Sequence, residues 1–140
     1  YSNSNYILLA LLIEKVSGES FVQFTSNMFD KLGMHNTSFE DDYTKIKQPV
    51  ALPYFNFSTW SNYEWIWNGV GDGNLFSTLP DLIRWEKIVH GYARPDFNRS
   101  LIQKSLQLTS NSLIKNYGFG LEFKSYKGMR IQYHEGATGA

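Results

Sequence analysis

The sequence predicts an α+β domain, a helical lobe followed by a C-terminal antiparallel β-hairpin. An unbroken apolar run follows Asn5, and apolar residues recur at helical spacing behind Ser20 and Thr78. The stretch from Tyr117 to His134 instead alternates, and Lys127-Gly128 breaks it into two strands. No internal repeat or low-complexity segment disturbs that order, and 140 residues suit one domain.

The first helix begins with Tyr6 to Ile13, which is apolar on every face. Such a helix is buried all round or lies in a membrane. Its apolar run is far short of the roughly 20 residues that span a bilayer, so a core helix is expected and no membrane span. The polar cluster Tyr1-Ser2-Asn3-Ser4-Asn5 then stands at the buried end of that helix. A phenol and two amides are costly there unless they are hydrogen-bonded or used. The competing reading is a plain helix cap by Ser2, Asn3 or Ser4.

Ser17-Gly18 ends the first helix, and Ser20 caps a second with Phe21, Phe24, Met28 and Phe29 inward, ending near Lys31. In the turn that follows, His35 reads as a solvated loop histidine, because no second ligand lies at metal spacing. Residues 40–68 lack a sustained period and read as a long loop with short extended pieces around Val50 to Phe57. A loop of that length is usually functional, often a cleft wall. Its aromatic cluster, Tyr54 to Trp67, suits either a ligand cleft or a core.

Gly69-Val70-Gly71-Asp72-Gly73 lacks the Gly-Lys-Ser/Thr ending of a phosphate loop, so its glycines are expected to allow tight turns or close backbone packing. Thr78 or Ser77 caps the third helix, with Pro80 in its first turn and Asp81 facing its positive end. Leu82, Trp85, Ile88 and Val89 form its apolar stripe, and His90-Gly91 ends it. Asn98 caps a further helix through Leu108, with Leu101, Ile102, Ser105 and Leu106 inward. The closing hairpin pairs Tyr117 to Tyr126 with Met129 to His134.

Thirteen basic and thirteen acidic residues cancel without a Lys/Arg run, which argues against nucleic acid and anionic membrane surfaces as partners. With no cysteine there is neither a disulfide nor a thiolate metal site, and no metal or cofactor is expected. The chain is expected to begin in mid-domain, since Tyr1 is not an initiator Met and leads directly into the core helix. It ends as abruptly at His134-Glu135-Gly136-Ala137-Thr138-Gly139-Ala140.

Three landmarks resemble the serine β-lactamase and penicillin-binding protein family, in its class C and esterase-like branch. Tyr1-Ser2-Asn3 resembles the Tyr-x-Asn motif ahead of an apolar helix. Gly73-Asn74-Leu75-Phe76-Ser77-Thr78 with Asp81-Leu82 and Trp85 is similar to the family's Gly-Gly-Leu-x-Ser-Thr-x-x-Asp-Leu helix start. His134-Glu135-Gly136 resembles the His-x-Gly variant of the Lys-Thr-Gly strand motif. Leu32-Gly33-Met34 with Thr37, and Tyr117-Gly118-Phe119-Gly120-Leu121, also sit where the family has similar sequences.

The resemblance implies a serine hydrolase that forms an acyl-enzyme on an ester, amide or β-lactam, with a small molecule or peptide as substrate. Tyr1 would take the nucleophile's proton and relay it to the leaving group. Asn3 would hold the family's lysine and bond the substrate. His134 would line the cleft floor, Gly136 would leave room for substrate, and the Ala137 N–H would be an oxyanion-hole donor. Glu135 is bulky where many relatives carry a small residue.

The family's Ser-x-x-Lys should precede Tyr1. The one occurrence here, Ser112-Leu113-Ile114-Lys115, lies between the second and third landmarks and reads as coincidence. Residues 1–140 are therefore expected to be a partial domain, lacking the upstream nucleophile segment and the C-terminal end, inactive and poorly stable alone. The alternative is a catalytically silent relative that binds a peptide or a protein. Export to a bacterial periplasm or cell surface rests on the resemblance alone. A weaker reading is an aromatic carbohydrate-binding module.

Overall fold

Ser20 opens the helix whose local signals agree best. Its hydroxyl accepts from the Gln23 N–H at 3.2 Å, and Gly33 closes the helix in the left-handed region at φ 70°. In the computed structural model, which describes residues 1–46, 49–51, 68–92, 100, 103–104 and 116–136, this helix is α2 (Phe21–Leu32). The chain divides into two compact units, Tyr1–Asp96 and Phe97–Gly139. The first holds α1 (Asn3–Ser17), α2, β1 (Ser38–Phe39), a 3-10 turn at Tyr43–Lys45, β2 (Leu75–Phe76) and α3 (Leu79–Val89). The second holds β3 (Glu122–Tyr126) and β4 (Met129–Tyr133).

The core of the first unit is built on α2. Phe21, Thr25, Phe29 and Leu32 are its buried stripe, at spacings of four, four and three. Phe39 of β1 packs edge-on against Phe21 at 4.9 Å between ring centroids and stacks on Phe29 at 6.2 Å. Phe24, expected inward, is partly exposed, and Thr25 takes its place. Thr25 tolerates burial because its hydroxyl donates to the Phe21 carbonyl at 2.7 Å. Glu14, near the end of α1, accepts the Phe21 N–H at 2.8 Å and so joins α1 to the start of α2.

Helix α3 departs from its expected stripe in the same way. Ile88 is buried, but Leu82 and Trp85 are not. Its buried residues are Asp81 and Ile88, while the exposed Arg84 reaches back so that its Nε–H donates to the Leu32 carbonyl at the end of α2. A Cβ on Gly33 would lie 2.6 Å from the same guanidinium. Of the two buried residues of α3, Asp81 is ionic, and a hydrophobicity pattern reads it as surface.

Helix α1 corrects the largest expectation. Only Ala10 is buried, while Leu8, Leu9, Leu11, Leu12 and Val16 are 51–79% exposed. Its apolar residues point in all directions, and the neighbours found among the described residues reach only one side.

The pairing of β1 with β2 was not expected, since two-residue strands carry no readable alternation. Its register sets Ser38 opposite Phe76 and Phe39 opposite Leu75, and the Glu40 N–H donates to the Asn74 carbonyl at 3.1 Å. The hairpin is as expected at its turn, where Lys127 and Gly128 both take positive φ (50° and 79°), the geometry that suits a two-residue connection. Its first strand starts later, at Glu122. Residues 117–121 instead fold back, with the Gly118 N–H on the Leu121 carbonyl at 2.8 Å and Gly120 at φ 86°.

Of the helix expected from Asn98 to Leu108, Ser100, Gln103 and Lys104 are described and helical. The cluster Tyr54 to Trp67 and the Ser112–Lys115 tetrapeptide lie outside the described residues.

Candidate active site

The first two candidate residues share the N-terminus of α1. Ser2 has the extended backbone of an N-cap (φ −156°, ψ 127°), yet its side chain makes no capping hydrogen bond. Asn3 is the first helical residue and is exposed. Tyr1 is 68% exposed, its ring 5.5 Å from that of Tyr6 at a 35° tilt. The polar cluster therefore stands open at the positive end of α1, not buried as expected. Burial had been inferred from α1 itself, and fails with it.

The glycine-rich segment is brought against this end of α1. A Cβ on Gly71 would lie 2.6 Å from the Tyr6 carbonyl oxygen and 2.9 Å from the Ala10 Cβ, and its φ is 105°. Only glycine meets both conditions, so close backbone packing is the role these glycines serve at Gly71. From there the chain enters β2, and the register with β1 carries Ser77 to Thr37.

At that point a buried polar lock forms. The Thr37 hydroxyl lies 2.8 Å from the Ser77 hydroxyl and donates to Asp81 Oδ2 at 2.8 Å. The same carboxylate oxygen accepts the Asn36 N–H at 2.8 Å. Thr37 and Asp81 are each 6% exposed. Asp81 thus does more than face its own helix dipole: it fastens the start of α3 to the turn after α2. This lock was missed in the sequence. Both partners stand in motifs quoted for the family resemblance, but no spacing rule pairs residues 44 apart.

The remaining candidates belong to the second unit. His134 follows β4 directly and is exposed. Its Nδ1 lies 2.7 Å from the Glu135 carbonyl oxygen, and its Nε2 lies 3.1 Å from the Tyr117 hydroxyl. The two rings meet edge to face, 5.8 Å apart at 78°. Gly136 is exposed, and a Cβ there would meet nothing within 4 Å, so among the described residues the space beside it is open. Ala137 lies outside the described residues. On the strands behind, the Tyr133 hydroxyl donates to Glu122 at 3.1 Å, which with partial desolvation pushes the phenol pKa up. The Lys124 ammonium sits 4.2 Å over the Tyr133 ring, and the Arg130 guanidinium 4.1 Å over Phe123.

The other histidines make surface pairs: His35 with Asp30 at 3.1 Å, and His90 with Glu86 at 3.1 Å one helical turn away. Among the described residues no group of three or more His, Asp or Glu is placed to hold a metal. No described helix is long and apolar enough to cross a membrane.

The Beta-lactamase family model matches residues 1–140. The chain belongs to the beta-lactamase family. Among its relatives, a D-aminopeptidase from Brucella anthropi is 28% identical over 98% of this chain and 26% of its own length. A penicillin-binding protein from Bacillus subtilis is 29% identical over 97% of the chain and 34% of its own. The chain thus spans about a quarter to a third of the curated relatives it matches. The octameric penicillin-binding protein homologue from Pyrococcus abyssi superposes with a TM-score of 0.71 at 24% identity, covering 93% of this chain and 31% of that one. The D-amino acid amidase from Ochrobactrum anthropi gives 0.61 at 16% identity, covering 96% and 43%. The α+β architecture is accordingly that of the beta-lactamase and penicillin-binding protein fold.

Proposed function

We propose that this chain is the Tyr-x-Asn and His-x-Gly portion of a serine hydrolase that works through an acyl-enzyme. The observation that carries the reading is the open N-terminus of α1. Tyr1 and Asn3 are presented there beside a Ser2 that does not cap the helix, and Gly71 holds the loop of the second landmark against the same turns. The family match along the whole chain supports it.

In this reading the nucleophile is the serine of a Ser-x-x-Lys ahead of Tyr1, within a longer catalytic domain. Its oxygen attacks the substrate carbonyl while the Tyr1 oxygen takes the proton. As the tetrahedral intermediate collapses, that proton passes to the leaving nitrogen or oxygen and the acyl-enzyme remains. Water then releases the acid and restores the serine. Asn3 bonds the substrate, His134 lines the cleft, Gly136 leaves it room, and the Ala137 N–H faces the developing oxyanion. The D-aminopeptidase relative makes amides of D-amino acids the first substrates to try, ahead of esters and β-lactams.

The test is an intact mass of the full-length protein after a serine-reactive phosphonate and, separately, a penicillin. A phosphonate adduct on a serine upstream of Tyr1 is expected. A folded protein that gains no mass from either reagent removes the hydrolase and leaves a catalytically silent binding relative, and an adduct on Ser112 overturns the alignment. Tyr1→Phe is expected to slow acylation about 10²–10⁴-fold, the usual worth of a general acid–base group. His134→Ala should change substrate preference more than it lowers turnover.

A further inference from the structure

His134 follows β4 directly, at the place where the motif it resembles usually carries a lysine, and an imidazole there raises a problem that a lysine does not. The ring has two faces, two tautomers and two nitrogens of different capacity, so its chemistry depends on what fixes it. The hairpin supplies two contacts that bear on this. A carbonyl oxygen only accepts, so the 2.7 Å contact with Glu135 places the proton on Nδ1. In the neutral ring Nε2 then carries the lone pair, and the Tyr117 hydroxyl at 3.1 Å is the donor to it.

The backbone makes this a built arrangement. Tyr117 bridges to Glu122, and Glu122 pairs with Tyr133, the residue before His134. The phenol therefore belongs to the residue bridged to the last rung of the hairpin, and the imidazole to the residue that follows that rung. The Gly118–Leu121 turn and the bond from the Phe123 N–H to the Asn116 carbonyl at 2.9 Å hold the Tyr117 backbone on both sides. The edge-to-face packing of the two rings, 5.8 Å apart at 78°, limits the imidazole's rotation as well as its protonation pattern.

We propose that Tyr117 is the positioning residue for His134, holding the imidazole in one orientation and as its Nδ1–H tautomer. The proposal deepens the serine hydrolase reading and rests on His134 being a cleft residue there. Its physical core, a donor from Tyr117 to Nε2, stands on the hairpin alone. Second-partner control of a histidine's tautomer is a general device, because the bond made by one nitrogen decides what the other can do.

The experiment is nitrogen-15 NMR of the histidine side chains in the full-length protein, wild type and Tyr117→Phe. The wild type is expected to show His134 as the Nδ1–H tautomer with a hydrogen-bonded Nε2. A wild-type His134 in the Nε2–H form would overturn the proposal without any variant. In Tyr117→Phe, which keeps the ring and removes the hydroxyl, the Nε2 signal should move toward that of an unbonded imine nitrogen. An unmoved signal would overturn the proposal.

Kinetics give the second arm. Tyr117→Phe should lower kcat/KM about three- to tenfold, the worth of one hydrogen bond, and have no further effect in a His134→Ala background. An equal loss in both backgrounds would make Tyr117 independent of His134 and sink the proposal. A protein that hydrolyses nothing, yet shows the expected Nε2 shift, would fail the serine hydrolase reading and still support the Tyr117–His134 pair.

Discussion

The two helices that open the chain use apolar residues in opposite ways. Helix α2 spends few of them and buries them on one stripe, with a serine cap, a glycine stop and a threonine satisfied by its own backbone. Helix α1 is richer in leucine, carries no capping hydrogen bond at Ser2, and buries Ala10 alone. Stability within the first unit therefore comes from agreement between pattern and neighbours, not from apolar content. Five leucine and valine side chains of α1 lie more than half exposed in a chain that spans only a quarter to a third of its relatives. We propose that α1 is a face covered by residues outside this chain.

The largest expected effect breaks or upholds that contrast. Phe29→Ala, in the α2 core, should cost about 3–5 kcal/mol in denaturant unfolding of the full-length protein. If the rest of the domain covers α1, Leu12→Ala should cost about 2–3 kcal/mol there despite its exposure in this chain. A loss for Leu12→Ala under about 0.5 kcal/mol would mark α1 as a surface helix.

The polar lock beside α2 sharpens the same comparison, because Thr37 and Asp81 are buried and hydrogen-bonded to each other. Asp81→Ala leaves the Thr37 hydroxyl and the Asn36 N–H without their carboxylate in a closed site, which should cost about 2–3 kcal/mol. A stability equal to wild type would mean that water reaches the lock.

Gly71→Ala tests the seam between α1 and its loop. A left-handed alanine costs about 1–3 kcal/mol, and here its Cβ would also press on the Tyr6 carbonyl, which is backbone and cannot swing aside. Because Tyr1 and Asn3 share those first turns, acylation should fall along with stability. Loss of stability with unchanged acylation would separate the loop from the site.

These residues also show what was legible in the sequence. The termini of α2 and the Lys127-Gly128 turn could be read, because caps and turns depend on local backbone chemistry. The sides of the helices were legible only where burial follows hydrophobicity. Thr25 and Asp81 face inward through hydrogen bonds, and a hydropathy pattern places such residues outside. The candidate site rests on motifs, with Tyr1, Asn3, His134 and Gly136 taken from residue type and order. Pairings across long sequence separations were not: Thr37 with Asp81, and Tyr117 with His134, depend on strand registers that two-residue strands and short bridges do not announce.

The smallest expected effect comes from a second carboxylate that resembles Asp81 in its partners and differs in its exposure. Asp42 precedes the 3-10 turn and accepts the Thr44 hydroxyl at 2.5 Å and the Thr44 N–H at 3.0 Å, with the Lys45 ammonium 2.9 Å away. The Thr44 hydroxyl first, then Lys45 and the Thr44 N–H, lower its pKa from 3.8 to about 2. The folded form thus favours the ionised carboxyl. Its contribution is complete above the ordinary value and is lost as pH falls toward about 2. Because the turn is open to solvent, screening keeps that contribution small. A carbon-13 NMR titration should place the Asp42 midpoint near 2 in the wild type and closer to 3.8 in Thr44→Val, which removes the leading donor. A midpoint near 3.8 in both proteins would show that the turn does not hold its carboxylate in solution. In that case short contacts at an open turn are not enough to perturb this acid.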